Sequence, residues 1–174
     1  MTLREVQIIV DMDIMRKVLR KLNICIHRLY YIYCCPNIAL GHNFNFRSGF
    51  VMNYAREARI TIGDNNFFNN WCSLNVQYKL KIGDNCIFGE GVKIYDHNHK
   101  FNKANVPVFE QGFSCKCVEI GNNCWIGSNV IILAGAKIGD NVVIGAGCTI
   151  DRTIESNRIV RNRQELYIDK IDYK

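Results

Sequence analysis

The stretch YDHNHKFNKANVPVFEQGFSCKC, residues 95–117, holds His97 and His99, two of the four histidines in the chain. A neutral imidazole can take a proton from a hydroxyl near neutral pH, and such a base contributes about 10²–10⁴-fold to a reaction. Asp96 stands beside them, a carboxylate of the kind that orients a histidine through one ring nitrogen. Cys115 and Cys117 close the stretch. With the two histidines they are suitable residue types for zinc, but H-x-H and C-x-C fit the usual ligand spacings poorly. His27 and His42 are badly placed to supply a third zinc histidine, so no metal is expected.

A base needs a frame, and the frame here is a repeat. Ile120, Ile126, Ile132, Ile138, Ile144 and Ile150 recur every six residues. Shorter runs keep the same step: Leu40, Phe46, Met52; Ile62, Phe68, Leu74; Ile82, Phe88, Ile94. Six matches neither a free helix nor a long strand. It fits a coil of three short flat faces with one inward residue per face, and each coil must stack on its neighbours to bury its apolar row. Three hexads make one turn, so the runs predict about five turns. They are interrupted at 53–61, 75–81 and 95–119. The last interruption contains the histidines, and a long excursion from a rigid coil usually serves function.

The remaining hexad positions agree. Gly follows the inward residue at Gly63, Gly83, Gly89, Gly121, Gly127, Gly139 and Gly145, and Asn recurs at Asn65, Asn85, Asn123 and Asn141. Both types tolerate the sharp corners a prism needs. Cys72, Cys86, Cys124 and Cys148 share a slot with Val92, Val130, Ala136 and Val142, so four of the nine cysteines read as small packing residues.

Residues 1–37 precede the repeat. Ile14, Met15, Val18, Leu19, Leu22, Ile26, Leu29 and Tyr33 recur at three and four, with Arg16, Lys17, Arg20 and Lys21 opposite, which predicts an amphipathic helix over 11–34. Its apolar side is expected to pack against the prism or a neighbouring subunit. The alternative is peripheral contact with a membrane that carries a lipid-linked sugar. The 174 residues carry a net charge of +6, most of the excess near the two ends, and no nucleic-acid-binding motif accompanies it. No apolar run reaches the roughly 18 residues of a membrane span. The start MTLREVQIIVDMD does not read as a signal peptide, so reduced thiols and a cytoplasmic location are expected.

The segment IGNNCWIGSNVIILAGAKIGDNVVIGAGCTI resembles the hexapeptide-repeat acyltransferases, within the branch of maltose and galactoside O-acetyltransferases and capsule or lipopolysaccharide acetyltransferases. The resemblance covers about residues 38–154. It implies an all-β, left-handed parallel β-helix between the helical segment 1–37 and a C-terminal cap over 155–174, where Tyr167, Ile168, Asp169 and Ile171 hint at a closing element. It also implies acetyl-CoA as co-substrate, a sugar or glycan acceptor, and a homotrimer with active sites between subunits.

Residue by residue, the resemblance makes His99 the base, five positions after the inward Ile94, with His97 as its partner or substitute. Lys100 stands where proline is usual. Asn69 falls on the acceptor-binding asparagine, and Asp96 could serve the acceptor or a histidine. Gln77 replaces an aspartate that contacts sugar in the galactoside enzymes, which argues against a galactoside. On the donor side, Trp125 matches the tryptophan beside the thioester, Ser128 and Ala146 match positions whose backbone holds the pantetheine arm, and Arg152, with Arg158, matches a basic position near the coenzyme phosphates. The end ESNRIVRNRQELYIDKIDYK lacks the family's Gly-x-Pro-Ala segment. Two other readings share this fold: a non-catalytic assembly module, and an N-acetyltransferase acting on an amino sugar.

Overall fold

The computed structural model describes residues 3–163 and residue 170. Tyr167, Ile168, Asp169 and Ile171, expected to form a closing element, lie outside the described residues. After helix α1 (Leu3–Cys34), strands of two to four residues wind into a left-handed parallel β-helix of triangular section. Its first face stacks Ile38–Leu40, Arg59–Ile62, Lys79–Ile82, Val118–Ile120, Lys137–Ile138 and Thr153–Ile154. The second stacks Asn45–Phe46, Phe67–Phe68, Ile87–Phe88, Trp125–Ile126, Val143–Ile144 and Ile159–Val160. The third stacks Val51–Tyr54, Ser73–Val76, Lys93–Tyr95, Ile131–Ile132 and Thr149–Ile150.

The registers join the inward positions in columns, as the repeat predicts: Leu40, Ile62, Ile82, Ile120 and Ile138 on one face, Phe46, Phe68, Phe88, Ile126 and Ile144 on the next. A sixth, partial turn follows the expected five. Ile154 pairs with Ile138 at a spacing of 16 rather than 18, so the strict period ends at Ile150 while the coil continues. The interruptions at 53–61 and 75–81 are widened turns. Their strands lengthen to four residues, and they bury Ile60, Val76 and Leu80 as extra core.

The core is aromatic at one end, where Phe68 and Phe88 stack at 4.2 Å, and aliphatic at the other. Cys72, Cys86, Cys124 and Cys148 are buried in it. The thiols of Cys72, Cys86 and Cys124 donate to the corner carbonyls of Gly89, Gly121 and Gly139. At the first corner Asn43, Asn65, Asn85, Asn123, Asn141 and Asn157 all take left-handed φ of 54–60°. Their side chains bond from turn to turn, as in Asn43 to Asn65 at 2.8 Å.

Helix α1 starts earlier than the predicted residue 11 and behaves differently from the expectation. Its end closes the prism: Tyr31 and Cys35 are buried, and His27 meets Phe46 edge-on at 5.6 Å. Yet the apolar stripe Ile14, Met15, Val18, Leu19, Leu22, Ile26, Leu29 and Tyr33 is exposed, so within one chain it does not pack on the prism. The face turned toward the first turn is polar instead, with Arg16, Arg20, Asn23 and His27. Phe44, Phe46 and Phe50 already fill the end of the coil with one another, leaving little apolar surface for the stripe. Among the described residues no helix is long and apolar enough to cross a membrane.

Candidate active site

The excursion leaves the prism between its third and first faces. His97–His99 and Phe113–Cys115 form a two-stranded antiparallel ribbon that pairs His97 with Cys115 and His99 with Phe113. Asp96 fixes its root. This carboxylate has no exposed surface. Oδ1 accepts the Gln77 N–H at 2.8 Å, and Oδ2 accepts those of Tyr78 and Lys79 at 2.7 Å. The Asp96 carbonyl takes the returning Lys116 N–H, so one residue clamps both ends of the ribbon to the preceding turn. Asp96, expected to serve either the acceptor or a histidine, is buried with its oxygens turned to these backbone N–H groups and to His97.

The residue it positions is His97, whose Nδ1 lies 3.0 Å from Asp96 Oδ1. A carboxylate at Nδ1 favours the tautomer with Nε2 unprotonated. His99 projects beyond, exposed. Both imidazoles contact Phe113, at ring distances of 4.9 and 4.6 Å, so they share one face of the ribbon. Cys115 lies opposite His97, but Cys117 has already left the ribbon and bonds toward the Val118 carbonyl. Burial pushes both thiols up. Among the described residues no three His, Cys, Asp or Glu side chains are placed to hold a metal ion.

The corner between the second and third faces gathers another set. Counted through the registers, its successive layers are Arg47-Ser48-Gly49, Asn69-Asn70-Trp71, Gly89-Glu90-Gly91, Gly127-Ser128-Asn129 and Gly145-Ala146-Gly147. Ser128 and Ala146 therefore stand in one line with Asn70 and Glu90, and Asn69 stands in the adjoining column with Gly89, Gly127 and Gly145, with layers about 4.8 Å apart. Gly89 and Gly127 are the only residues that fit beneath Ser128 and Ala146, since a Cβ on either would collide with the next backbone N–H. Arg152 and Arg158 lie at the other two corners, each paired to its own neighbour, Asp151 at 2.8 Å and Glu155 at 2.6 Å. Arg161 instead lies at this corner, one layer above Gly145 in the Asn69 column. Counting in sixes misses it, because the last turn is two residues short.

Trp125 is 57% exposed on the second face, with Ile87 and Val143 in its outward column. The histidine ribbon rises from a different corner, so one chain alone does not bring His99 and Trp125 together.

Known proteins share the repeat and the fold. The family model described as bacterial transferase hexapeptide (six repeats) matches residues 117–152. WbbJ of Escherichia coli (strain K12), whose name assigns it to lipopolysaccharide biosynthesis as an O-acetyl transferase, is 26% identical over 83% of this chain and 77% of its own. A maltose O-acetyltransferase structure from Clostridium difficile 630 is 33% identical, with a TM-score of 0.58 over 70% of this chain and 63% of that one. A galactoside acetyltransferase in complex with coenzyme A is 29% identical, with a TM-score of 0.52 over 67% and 61%. The chain carries the bacterial transferase hexapeptide repeat and is similar to hexapeptide-repeat acetyltransferases.

Within this hexapeptide-repeat protein one exposed residue escaped the sequence reading. Trp71 has φ +61° in a column otherwise occupied by Gly49, Gly91, Asn129 and Gly147. A left-handed conformation costs an L-residue about 1–2 kcal/mol, and for a bulky one it points to function. The Trp71 ring lies across Gly49, where a Cβ would overlap it. The signal was there: Trp sits where the corner column wants Gly or Asn. The irregular turn lengths of 22 and 20 residues hid that column.

Proposed function

We propose that the protein is an acetyl-CoA-dependent O-acetyltransferase acting on a sugar or glycan intermediate of the capsule, O-antigen or exopolysaccharide type. The observation that carries this is the corner between the second and third faces, where Asn69, Ser128 and Ala146 occupy successive layers of two adjoining columns, together with the clamped histidine ribbon at the next corner. The coenzyme A complex of the galactoside acetyltransferase supports the donor. In this reading Asn69 binds the acceptor, the backbone at Ser128 and Ala146 holds the pantetheine amides, and Arg152 and Arg158 serve the phosphates.

His99 is the base. Its imidazole takes the acceptor hydroxyl proton as the oxygen attacks the thioester carbonyl, and the tetrahedral intermediate collapses by breaking the C–S bond. The departing sulfur takes the same proton from the imidazolium, which restores neutral His99. Two substrates held in line supply the rest through proximity, and donors aimed at the developing oxyanion add to it.

The active unit is a homotrimer in which His99 of one subunit faces Trp125 of the next. The separation of these residues within one chain supports that arrangement. The exposed apolar stripe of α1, with Lys21 and Arg28 beside it, suits peripheral contact with a membrane surface. The free thiols suit a reducing cytoplasm.

One observation favours a second assignment of the base: Asp96 Oδ1 lies 3.0 Å from His97 Nδ1, a contact of the kind that orients a base. The two are separated by turnover, read as CoA release with a glycan acceptor panel. His99→Ala should lower kcat by at least 10²-fold and leave the trimer intact, while His97→Ala should lower it less. The reverse order would transfer the role to His97, and near-wild-type rates in both would refute histidine base catalysis.

A further inference from the structure

Between α1 and the first turn lies a cleft of about 740 Å³ that no step above uses. Arg16, Arg20 and His27 line it from the helix, and Arg47, Ser48 and Asn70 from the prism. No carboxylate is among its described lining residues. Arg20 Nε is buried there and has no hydrogen-bond partner. A guanidinium N–H is an obligate donor, and an unmet buried one is costly. Arg47 lies over the Phe67 ring at 5.6 Å and donates to Asn69 Oδ1 at 3.4 Å, with no carboxylate partner among the described residues. Arg152 and Arg158, by contrast, have carboxylate partners, whereas in this cleft three guanidinium groups converge with no carboxylate among the described lining residues. Arginine pairs phosphate oxygens through two parallel N–H groups, better than any other side chain.

The position of the cleft gives the ligand a second half. Its prism wall is the lowest layer of the corner line, and the next layer up is Asn69-Asn70-Trp71. Trp71 is 64% exposed, held in a strained conformation with its ring laid over Gly49 at the mouth of the cleft. A flat exposed indole in the same layer as Asn69 and Asn70 suits the apolar face and the hydroxyls of a sugar ring.

We infer that this cleft binds a diphosphate attached to the acceptor sugar, with Arg20 and Arg47 on the phosphates and Trp71 under the sugar. The inference rests on the acetyltransferase reading and narrows its acceptor to a sugar that carries a diphosphate. The diphosphate can belong to a nucleotide or to a polyprenyl lipid. In both, the anchored phosphate delivers the sugar to Asn69, about two layers below Ser128.

The test begins with the full chain and inorganic pyrophosphate, titrated by calorimetry against sulfate at matched ionic strength. Pyrophosphate should bind at least tenfold more tightly than sulfate. Arg20→Gln and Arg47→Gln should each weaken it at least tenfold, with thermal stabilisation by acetyl-CoA unchanged. Arg47 sits on the prism, so its variant remains informative if Arg20→Gln shifts the helix. Then CoA release is compared for one sugar in free, nucleotide-diphosphate and polyprenyl-diphosphate forms. At least one diphosphate form should show a KM at least tenfold below the free sugar, with that advantage lost in Arg47→Gln and the sugar-dependent part lost in Trp71→Ala. The form that responds identifies the source. Equal KM for the free and both diphosphate forms, or wild-type pyrophosphate affinity in Arg47→Gln, would overturn the inference. A chain that binds pyrophosphate but neither binds nor consumes acetyl-CoA would overturn the acetyltransferase reading instead.

Discussion

Asp96 illustrates how a residue with the right chemistry can be set to a different task. Its two oxygens accept three backbone N–H groups, and one of them also meets His97 Nδ1. Bonds to a charged acceptor contribute about 1.5–3 kcal/mol each, so the ribbon root is held more firmly than its exposed tip. Cys115 lies beside this carboxylate. Burial pushes its thiol up, Asp96 pushes further, and Lys100 only partly opposes them. Alkylation needs the thiolate, so a raised thiol reacts slowly at neutral pH and faster as pH rises through and above the ordinary cysteine range. Iodoacetamide labelling followed by mass spectrometry should show Cys115 reacting more slowly at pH 7 than a model thiol, with the gap closing in alkali. Faster labelling than the model thiol at pH 7 would contradict this environment.

At the scale of elements, the corner line and the helix matter most. The line depends on glycine at two kinds of place: under the next backbone, as at Gly89 and Gly127, and at left-handed φ, as at Gly49 and Gly91. Gly49 combines φ +74° with the Trp71 ring lying over it. Gly49→Ala should therefore lower stability by about 1–2 kcal/mol for the backbone alone and displace the indole as well. Denaturant unfolding and near-ultraviolet circular dichroism measure the two effects. An unchanged aromatic signal would mean that Trp71 does not rest there. Helix α1 shows the opposite economy, spending its last turns on the prism and leaving its apolar stripe to whatever lies outside the chain.

For the whole molecule, the faces differ in what they show outward. The first carries Lys81, Glu119 and Lys137, while the second carries Ile87, Trp125 and Ile159, all exposed. A contiguous apolar stripe on a rigid face is a surface for a partner, and in the proposed trimer that partner is another copy. Ile87→Glu should convert the trimer to monomers in sedimentation velocity while circular dichroism still reports the β-helix. Lys93→Glu on the third face is the control and should leave assembly unchanged. A trimer that survives Ile87→Glu would put the interface elsewhere.

The six-residue step of isoleucine determined the prism, its inward columns and its glycine and asparagine corners before any coordinates, because a short-range period fixes which side chains share a face. It also marked 95–117 as the excursion and placed four cysteines in the core. Three things lay beyond it. The turns are 22, 20, 38, 18 and 16 residues apart, so the alignment of Asn69, Trp71, Ser128, Ala146 and Arg161 on one corner follows only from strand pairing. The burial of Asp96 depends on where the ribbon folds back, a contact between residues nearly twenty positions apart. The direction of α1 depends on what already fills the end of the prism. A helical pattern gives the two faces of the helix, but only packing against Phe44, Phe46 and Phe50 decided that the basic face turns inward and the apolar face stays outside.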